Sequence, residues 1–413
     1  KNYVQQLQSF YHDALVNDAD FLQAKVALRS AEQDLPLARS AFLPQLSSSN
    51  LVKSNYKEGS TPGFAINVNQ PVFDWHAMQK IGQARQLVKA AQEKFSLAGQ
   101  DLMRRVVSAY LDVYAAQQKL ALTAKRVKSL HQQLVAAEKR FSNGHLTQVD
   151  VAQVRGSYNL YAAEAMNAKL DLAHQIQALG LIVGVQNLKS IATISINYCG
   201  TRSSQDCVGH SAMTTFRSWQ HDITERNLLL KLERQYIQVA RLAVSAEQAN
   251  YLPTVSLSGS YYPDRYYQQP QNKHFMYGLN VSFANLNAGQ TRAKVQQARY
   301  ALEQAVRSNQ AAYQRVLTDA HNAFQAMSIS HEQIDVQQKA VNAGDQALGG
   351  VITQMKLGQA TVSNLIEVND KLYQANTALL SGEMQYLRSV LALKFDAGLL
   401  TDPASLTKIF QSS

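Results

Sequence analysis

The chain has 413 residues, 46% of them hydrophobic and 17% charged, a balance that favours ordered structure over disorder. No run approaches the ~18 consecutive apolar residues of a membrane-spanning helix, so any membrane role must come through β-strands. The net charge of +10 comes from basic residues spaced singly along helical stretches, as at Arg104, Arg105, Lys119, Lys125, Arg126 and Lys128. Without an aromatic-rich RNA motif or zinc-finger spacing beside them they read as a solvated helix face, and no nucleic-acid partner is expected.

The chain begins at Lys1 with no charged-then-apolar leader, which fits a mature chain freed of its signal peptide, or an engineered one. A helix is predicted over 17–43, ending at Leu43-Pro44, because proline disfavours helical geometry in the residue before it. Two strands follow over 45–73. In the second, Phe64, Ile66 and Val68 alternate with Ala65, Asn67 and Asn69; the first is weaker, with only Leu46 and Val52 standing out.

From Ile81, apolar and small residues step alternately by three and four through Ala84, Val88, Ala91, Phe95, Ala98 and Leu102. That rhythm lays one stripe along a coiled-coil helix, predicted over 76–142. Some 67 residues of helix extend on the order of 100 Å, a dimension that suits a strut, fibre or tunnel rather than a compact enzyme. A break centred on Gly144 leads into a return helix over 147–184. The segment 185–225 contains Cys199 and Cys207, close together among Gly and Ser. They fit a small disulfide in an oxidising compartment, or two free thiols.

The same order then recurs: helix 226–250, strands within 254–286, long helix 289–356, a break at Gly358, return helix 362–397 and a tail 398–413. Gly144-His-Leu-Thr147 pairs with Gly358-Gln-Ala-Thr361 at a shift of 214 residues, and Leu43-Pro44 pairs with Leu252-Pro253 at 209. Gly, Thr and Pro punctuation aligned at a nearly constant shift indicates duplication. The chain therefore reads as one elongated unit with a first repeat (1–184), an insertion (185–225), a second repeat (226–397) and the tail.

Tyr56, Tyr261, Tyr262, Tyr266, Tyr267 and Tyr277 gather around the strands, as rings do at a membrane interface. A soluble sheet packed on helices would show the same alternation. Four strands cannot close a membrane barrel, which needs about eight, so strands in lipid require a dimer or a trimer.

Paired strands, long helices and Gly-x-x-Thr breaks, written twice, resemble the TolC family of outer-membrane factors. The Leu-Pro helix ends, Gln70-Pro-Val-Phe73-Asp74 and the breaks at Gly144 and Gly358 carry the resemblance, which covers nearly the whole chain. It implies a mainly α fold with a small membrane β-barrel: a homotrimer whose twelve strands form one barrel in outer-membrane lipid of a Gram-negative bacterium. Twelve helices would continue it as a periplasmic α-barrel, with 185–225 and the tail in a surrounding belt. The implied function is a passive exit duct for small molecules or proteins, coupled through a periplasmic adaptor to an inner-membrane pump, with no cofactor.

The resemblance also places both breaks at the periplasmic tip. Gly144, Thr147, Gly358 and Thr361 would meet the adaptor, and Glu367, Asn364, Asp150, Ala360 and Met355 would lie at the constriction. Glu367 falls where relatives carry an acidic ring, and Asp150 matches an acidic position that could equally be a helix cap. Asn364, Ala360 and Met355 depart from an acidic residue, an Arg and a Tyr used in the family's closing bonds, so this tip is expected to close more by packing than by ionic links between protomers. Asn287-Ala-Gly-Gln-Thr-Arg lacks the second Gly and the Lys of a phosphate loop, and no enzyme is expected. The rival reading is a soluble periplasmic coiled-coil scaffold or adaptor.

Overall fold

A stripe that repeats every three and four residues stays on one face of a helix, and long helices form where both stripes run. The structure, a computed structural model, describes residues 2–55, 59–185, 191, 215–261, 275–283 and 289–400. Helices α1 (Asn2–Asn17), α2 (Ala19–Glu32) and α3 (Asp34–Ser40) precede strands β1 (Gln45–Asn55) and β2 (Gly59–Phe73). The long α4 (Trp75–Ser142) and the return helix α5 (Gln148–Val183) follow. Then come α6 (Phe216–Arg226), α7 (Leu228–Ala249), β3 (Thr254–Tyr261), β4 (Phe275–Ser282), α8 (Gln290–Lys356) and α9 (Val362–Asp396). Ala84 and Leu102 of the predicted α4 stripe are buried, as are Val316 and Ala320 on α8. Cys199 and Cys207 lie outside the described residues.

The chain divides into two compact units, the first comprising 1–22, 97–227 and 314–413, the second 23–96 and 228–313. In the first, α4 buries Leu102, Met103, Val106, Val107, Tyr110 and Leu111, and α9 buries Met384, Leu387 and Leu391. The sequence pattern placed the first helix at 17–43, but α1 already starts at Asn2 and the chain breaks at Asp18. The break has a physical cause. Asp18 leaves the helix to cap α2, its Oδ1 accepting from the Phe21 N–H at 2.8 Å, while its carboxylate takes two hydrogen bonds from Arg105 at 2.8 Å each.

Asn227 makes the corresponding break between α6 and α7, 209 residues on. The two returns are anchored alike: Asn17 Nδ2 donates to Val183 O at 3.2 Å, and Asn227 Nδ2 donates to Asp396 O at 2.7 Å. Each side-chain amide thus satisfies one of the carbonyls that every helix end leaves open. Helix α6, in the stretch expected as an insertion, buries Trp219 and Ile223 and sets Phe216 edge-on to His321 at 4.8 Å.

In the second unit the four strands form one antiparallel meander in the order β1-β2-β3-β4. Helix α2 gives way to α3 at Gln33 because Pro36 has no N–H to continue the ladder. A second proline, Pro71, sits at a register shift in β2, where a missing donor is tolerated. Asp74 then caps α4, its carboxylate accepting from the Ala77 N–H at 2.9 Å, and Gln70 Nε2 ties the strand end to Phe42 O at 2.8 Å.

The register sorts the sheet into two faces. Leu46, Val68 and Tyr277 share one face with Leu257, Leu279 and Val281, all exposed. The other face is polar, with Ser260 donating to Asn67 at 2.8 Å, Asn67 to Ser49 at 3.1 Å and Asn280 to Ser258 at 3.0 Å.

Candidate functional site

The two glycine-marked turns belong to the first unit and are built alike. Gly144 and Gly358 adopt φ of 75° and 73°, the left-handed conformation that ends a helix and that glycine enters without a Cβ penalty. His145 N–H returns to Arg140 O and Gln359 N–H to Gln354 O, both at 2.9 Å, while each glycine N–H bonds three residues back. These are paired Schellman motifs.

A β-carbon on either glycine would have open space around it, so only backbone conformation selects glycine there. Gly144→Ala and Gly358→Ala are each expected to cost about 1–2 kcal/mol, the left-handed penalty alone. Thermal unfolding of the two variants checks this, and a loss well above 3 kcal/mol would contradict the open surroundings.

Threonine starts each return helix. Thr147 accepts from the Asp150 N–H at 3.2 Å, and the Asp150 carboxylate accepts back from the Thr147 N–H at 3.1 Å and from its hydroxyl at 2.7 Å. This capping box satisfies two open donors reciprocally. The Thr147 hydroxyl first, then its N–H, holds the Asp150 carboxyl below its ordinary value. Thr361 accepts from the Asn364 N–H at 3.3 Å and donates its hydroxyl to Asn364 Oδ1 at 2.5 Å, so Asn364 does the same local work without a charge.

The two turns are also joined. Arg140 donates to Met355 O at 3.1 Å, and Gln153 donates to Ser363 Oγ at 3.0 Å. Leu134, Ala137, Val151, Val154 and Val362 bury a small apolar core, against which Leu146, Met355 and Ile366 pack. A cavity of about 180 Å³ opens beside it, floored by Ala136, Val154 and Leu365 and rimmed by Arg140 and Lys356. Ala360 is half-buried in the second turn. Glu367 faces solvent one turn into α9 and pairs with Lys371 of the same helix at 2.7 Å.

Further from the turns lies a polar layer that sequence reasoning missed. Arg126, 8% exposed, donates Nη2 to Asp370 at 2.6 Å and Nη1 to Glu164 at 3.1 Å. Its guanidinium carbon stacks 3.2 Å from the Tyr161 ring centre and 4.3 Å from that of Tyr373. Tyr161 OH donates to both Asp370 oxygens at 2.7 and 2.8 Å, and Tyr373 OH donates to Glu164 at 2.9 Å. Thr123 and Tyr373 hydroxyls share a bond at 3.1 Å. Burial, the hydrogen bond to Asp370 and the Asp370 charge push the Tyr161 phenol up to about 12, Arg126 opposing them.

Arg126 was thus misread as part of a solvated face. So was Arg105, which holds the buried Asp18. The available signal was position: Thr123, Arg126, Leu130, Leu134 and Ala137 step by three and four along one stripe of α4, and a charge on such a stripe needs buried partners.

The model of the outer membrane efflux protein family matches residues 10–185 and 219–399. The chain belongs to that family. As an outer membrane efflux protein it is similar to the outer membrane protein TolC of Vibrio cholerae serotype O1, 24% identical over 97% of this chain and 92% of that protein. It is also similar to the alkaline protease secretion protein AprF of Pseudomonas aeruginosa, 22% identical over 95% and 84%. Among solved structures, CusC superposes with a TM-score of 0.82 at 18% identity, covering 95% of this chain and 92% of that one.

Family membership places the protein in the outer membrane. No described helix is long and apolar enough to cross a membrane, and the apolar-faced sheet offers the alternative. The soluble-scaffold reading gives way, and the chain is a transport duct.

Proposed function

We propose that three copies of this chain form one exit duct, with the sheets completing a twelve-stranded barrel and the long helices a tunnel through the periplasm. The observation that carries this reading is the sheet. It has an apolar exposed face and a hydrogen-bonded polar face, yet only four strands among the described residues, and its order leaves β1 and β4 as edges. In lipid an edge is tolerable only if another copy pairs with it. Exposed apolar residues on the return and long helices, including Leu160, Met166 and Leu170 on α5 and Ile329 and Val336 on α8, give further surface for neighbouring copies.

The turns at Gly144 and Gly358 are the periplasmic end in this reading, where an adaptor protein docks and couples the duct to an inner-membrane pump. Thr147 and Thr361 present those turns. Asp150, Met355, Ala360, Asn364 and Glu367 belong to the constriction. Its closure rests on the apolar core beneath the turns, because Asp150 is engaged by its own cap and Glu367 by Lys371. Relatives named for efflux and for protease secretion favour cargo ranging from small molecules to proteins.

The test is single-channel conductance of detergent-extracted protein in a planar bilayer, with oligomer mass measured in parallel. Discrete steps from a trimer are expected, small without an adaptor and little changed by moderate salt. A water-soluble monomer without conductance would overturn the duct. Strong activation by mild salt would instead point to ionic closure between protomers.

A further inference from the structure

We propose that the cavity beside the two glycine turns is a binding site for a compact aromatic carboxylate, a single ring carrying one negative charge. The inference stands on the first unit alone and asks nothing of how copies assemble.

The cavity measures about 180 Å³ and draws its walls from α4, α5, α8 and α9. Its interior is apolar. Val154 and Val362 are buried there, Leu146 and Met355 pack against the same small core, and Leu365 adds to the lining. Protein interiors leave few voids larger than a water molecule, because an empty space forfeits the dispersion contacts of its lining. An apolar cavity of about 150 Å³ stays dry and takes up benzene. The present one therefore has room for a six-membered ring with one small substituent, and its apolar side offers water few partners.

The rim sets the sign of the ligand. Arg140 and Lys356 both line the cavity, and among the described residues no carboxylate does. The acidic groups of the turn region are already engaged. Glu138 pairs with Arg155 at 2.8 Å, Asp150 serves the cap of its own helix, and Glu367 pairs with Lys371 at 2.7 Å. Arg140 gives Nη1 to Met355 O; its other nitrogens and the Lys356 amine have no acceptor among the described residues.

A basic residue in the last turn of a helix answers the helix dipole, and Arg140 and Lys356 both sit in such turns. That accounts for their sign and not for their convergence on one cavity. Duplication does not account for it either. At the 214-residue shift Arg140 corresponds to Gln354 and Lys356 to Ser142, so each repeat contributes a cation that its counterpart lacks. An arginine fork grips a carboxylate through two parallel hydrogen bonds, and a lysine adds a point charge. With an apolar interior beside them, the two select a ring that ends in a carboxylate.

The experiment titrates para-fluorobenzoate into the full chain in detergent, followed by fluorine NMR. Para-fluorobenzamide and para-fluorobenzylamine serve as neutral and cationic controls, and protein-free micelles as the blank. One saturable site per chain is expected for the carboxylate, with the amide and the amine roughly tenfold weaker. Arg140→Met should weaken binding roughly tenfold and Lys356→Met roughly threefold, since the fork contributes more than the point charge. Ala136→Leu adds apolar volume to the cavity lining, leaves both cations in place and should abolish saturable binding. Neither Ala136 nor Lys356 is buried, so A136L and K356M decide the matter should R140M fail to fold. Equal affinity for the carboxylate and the amide overturns the proposal. Saturable binding that survives both A136L and K356M puts the ligand elsewhere and also overturns it, as does uptake no greater than by micelles alone. Absence of channels in bilayers would strike the duct reading and leave these outcomes unchanged.

Discussion

Replacing Arg105 with Met destabilises the protomer by about 3 kcal/mol, at the low end of what breaking a buried pair costs because Arg105 itself is a quarter exposed. The methionine keeps most of the apolar stem, so the loss reports the charge and its hydrogen bonds. Asp18 is the reason for the size of the effect. Its side chain is only 6% exposed, it takes two hydrogen bonds from Arg105, and it caps α2 at the same time. Adding Asp18→Asn to R105M should restore a good part of the loss, since the orphaned charge is then gone and neighbouring sites do not add. Thermal unfolding at fixed protein and detergent concentration measures both. A loss below 1 kcal/mol would show that the pair behaves as a surface ion pair.

The same pair has a pH signature. The Arg105 hydrogen bonds hold the Asp18 carboxyl below its ordinary 3.8, against the opposing effect of burial. With the folded value depressed, the contribution is fully present above about pH 4 and is lost as pH falls through the depressed value. Asp396 at the end of α9 behaves oppositely: burial first, then the charge of Asp319, push its carboxyl up to about 7, with Arg104 opposing. Its folded form favours the proton, so stability declines as pH rises from 3.8 to about 7. Unfolding of Asp396→Asn across that window should be flatter than wild type, and an unchanged slope would remove Asp396 as its source.

The second large effect is expected at the glycines that end the return helices. A β-carbon at Gly398 would lie 2.5 Å from Arg226 O and 2.8 Å from Arg226 C, at φ +66°. One at Gly184 would lie 2.4 Å from Asn17 Cβ, at φ +80°. Left-handed strain of about 1–2 kcal/mol adds to overpacking of about 1–3 kcal/mol, so each alanine should cost about 3 kcal/mol. Gly398→Ala is the harsher of the two because the obstacle is backbone. Hydrogen exchange in the last turns of α5 and α9 would show where the damage falls; protection equal to that of Gly144→Ala and Gly358→Ala would refute the close approach.

These four glycines show what the sequence makes legible. All have positive φ and mark helix ends, and their spacing exposes the duplication. What separates them, open space around one pair and a neighbouring chain segment against the other, depends on residues far along the chain. Local rhythm likewise placed α4, α8 and the strands, because period and punctuation are written within a few residues. Helix α1 carried its own signal in Leu7, Phe10 and Ala14, all buried at helical spacing, but the Asp18 break interrupts the run. The Arg126 layer joins residues separated by 38 and 244 positions, which no local pattern reports. Asp150 was legible as an acidic residue after a break; its choice of Thr147 as partner needed the turn itself.

The four-stranded sheet also bears on the life of the chain before it reaches lipid. Its two edges differ: β1 is Ser- and Asn-rich and includes Lys53, whereas β4 reads Phe-Met-Tyr-Gly-Leu-Asn-Val-Ser, without charge or proline. Lysine at an edge discourages unwanted strand pairing, and a short uncharged strand of aromatic and β-branched residues invites it. Free in water, β4 is an uncharged sheet edge open to pairing between copies, so the time a chain spends with that strand uncovered sets its exposure to aggregation.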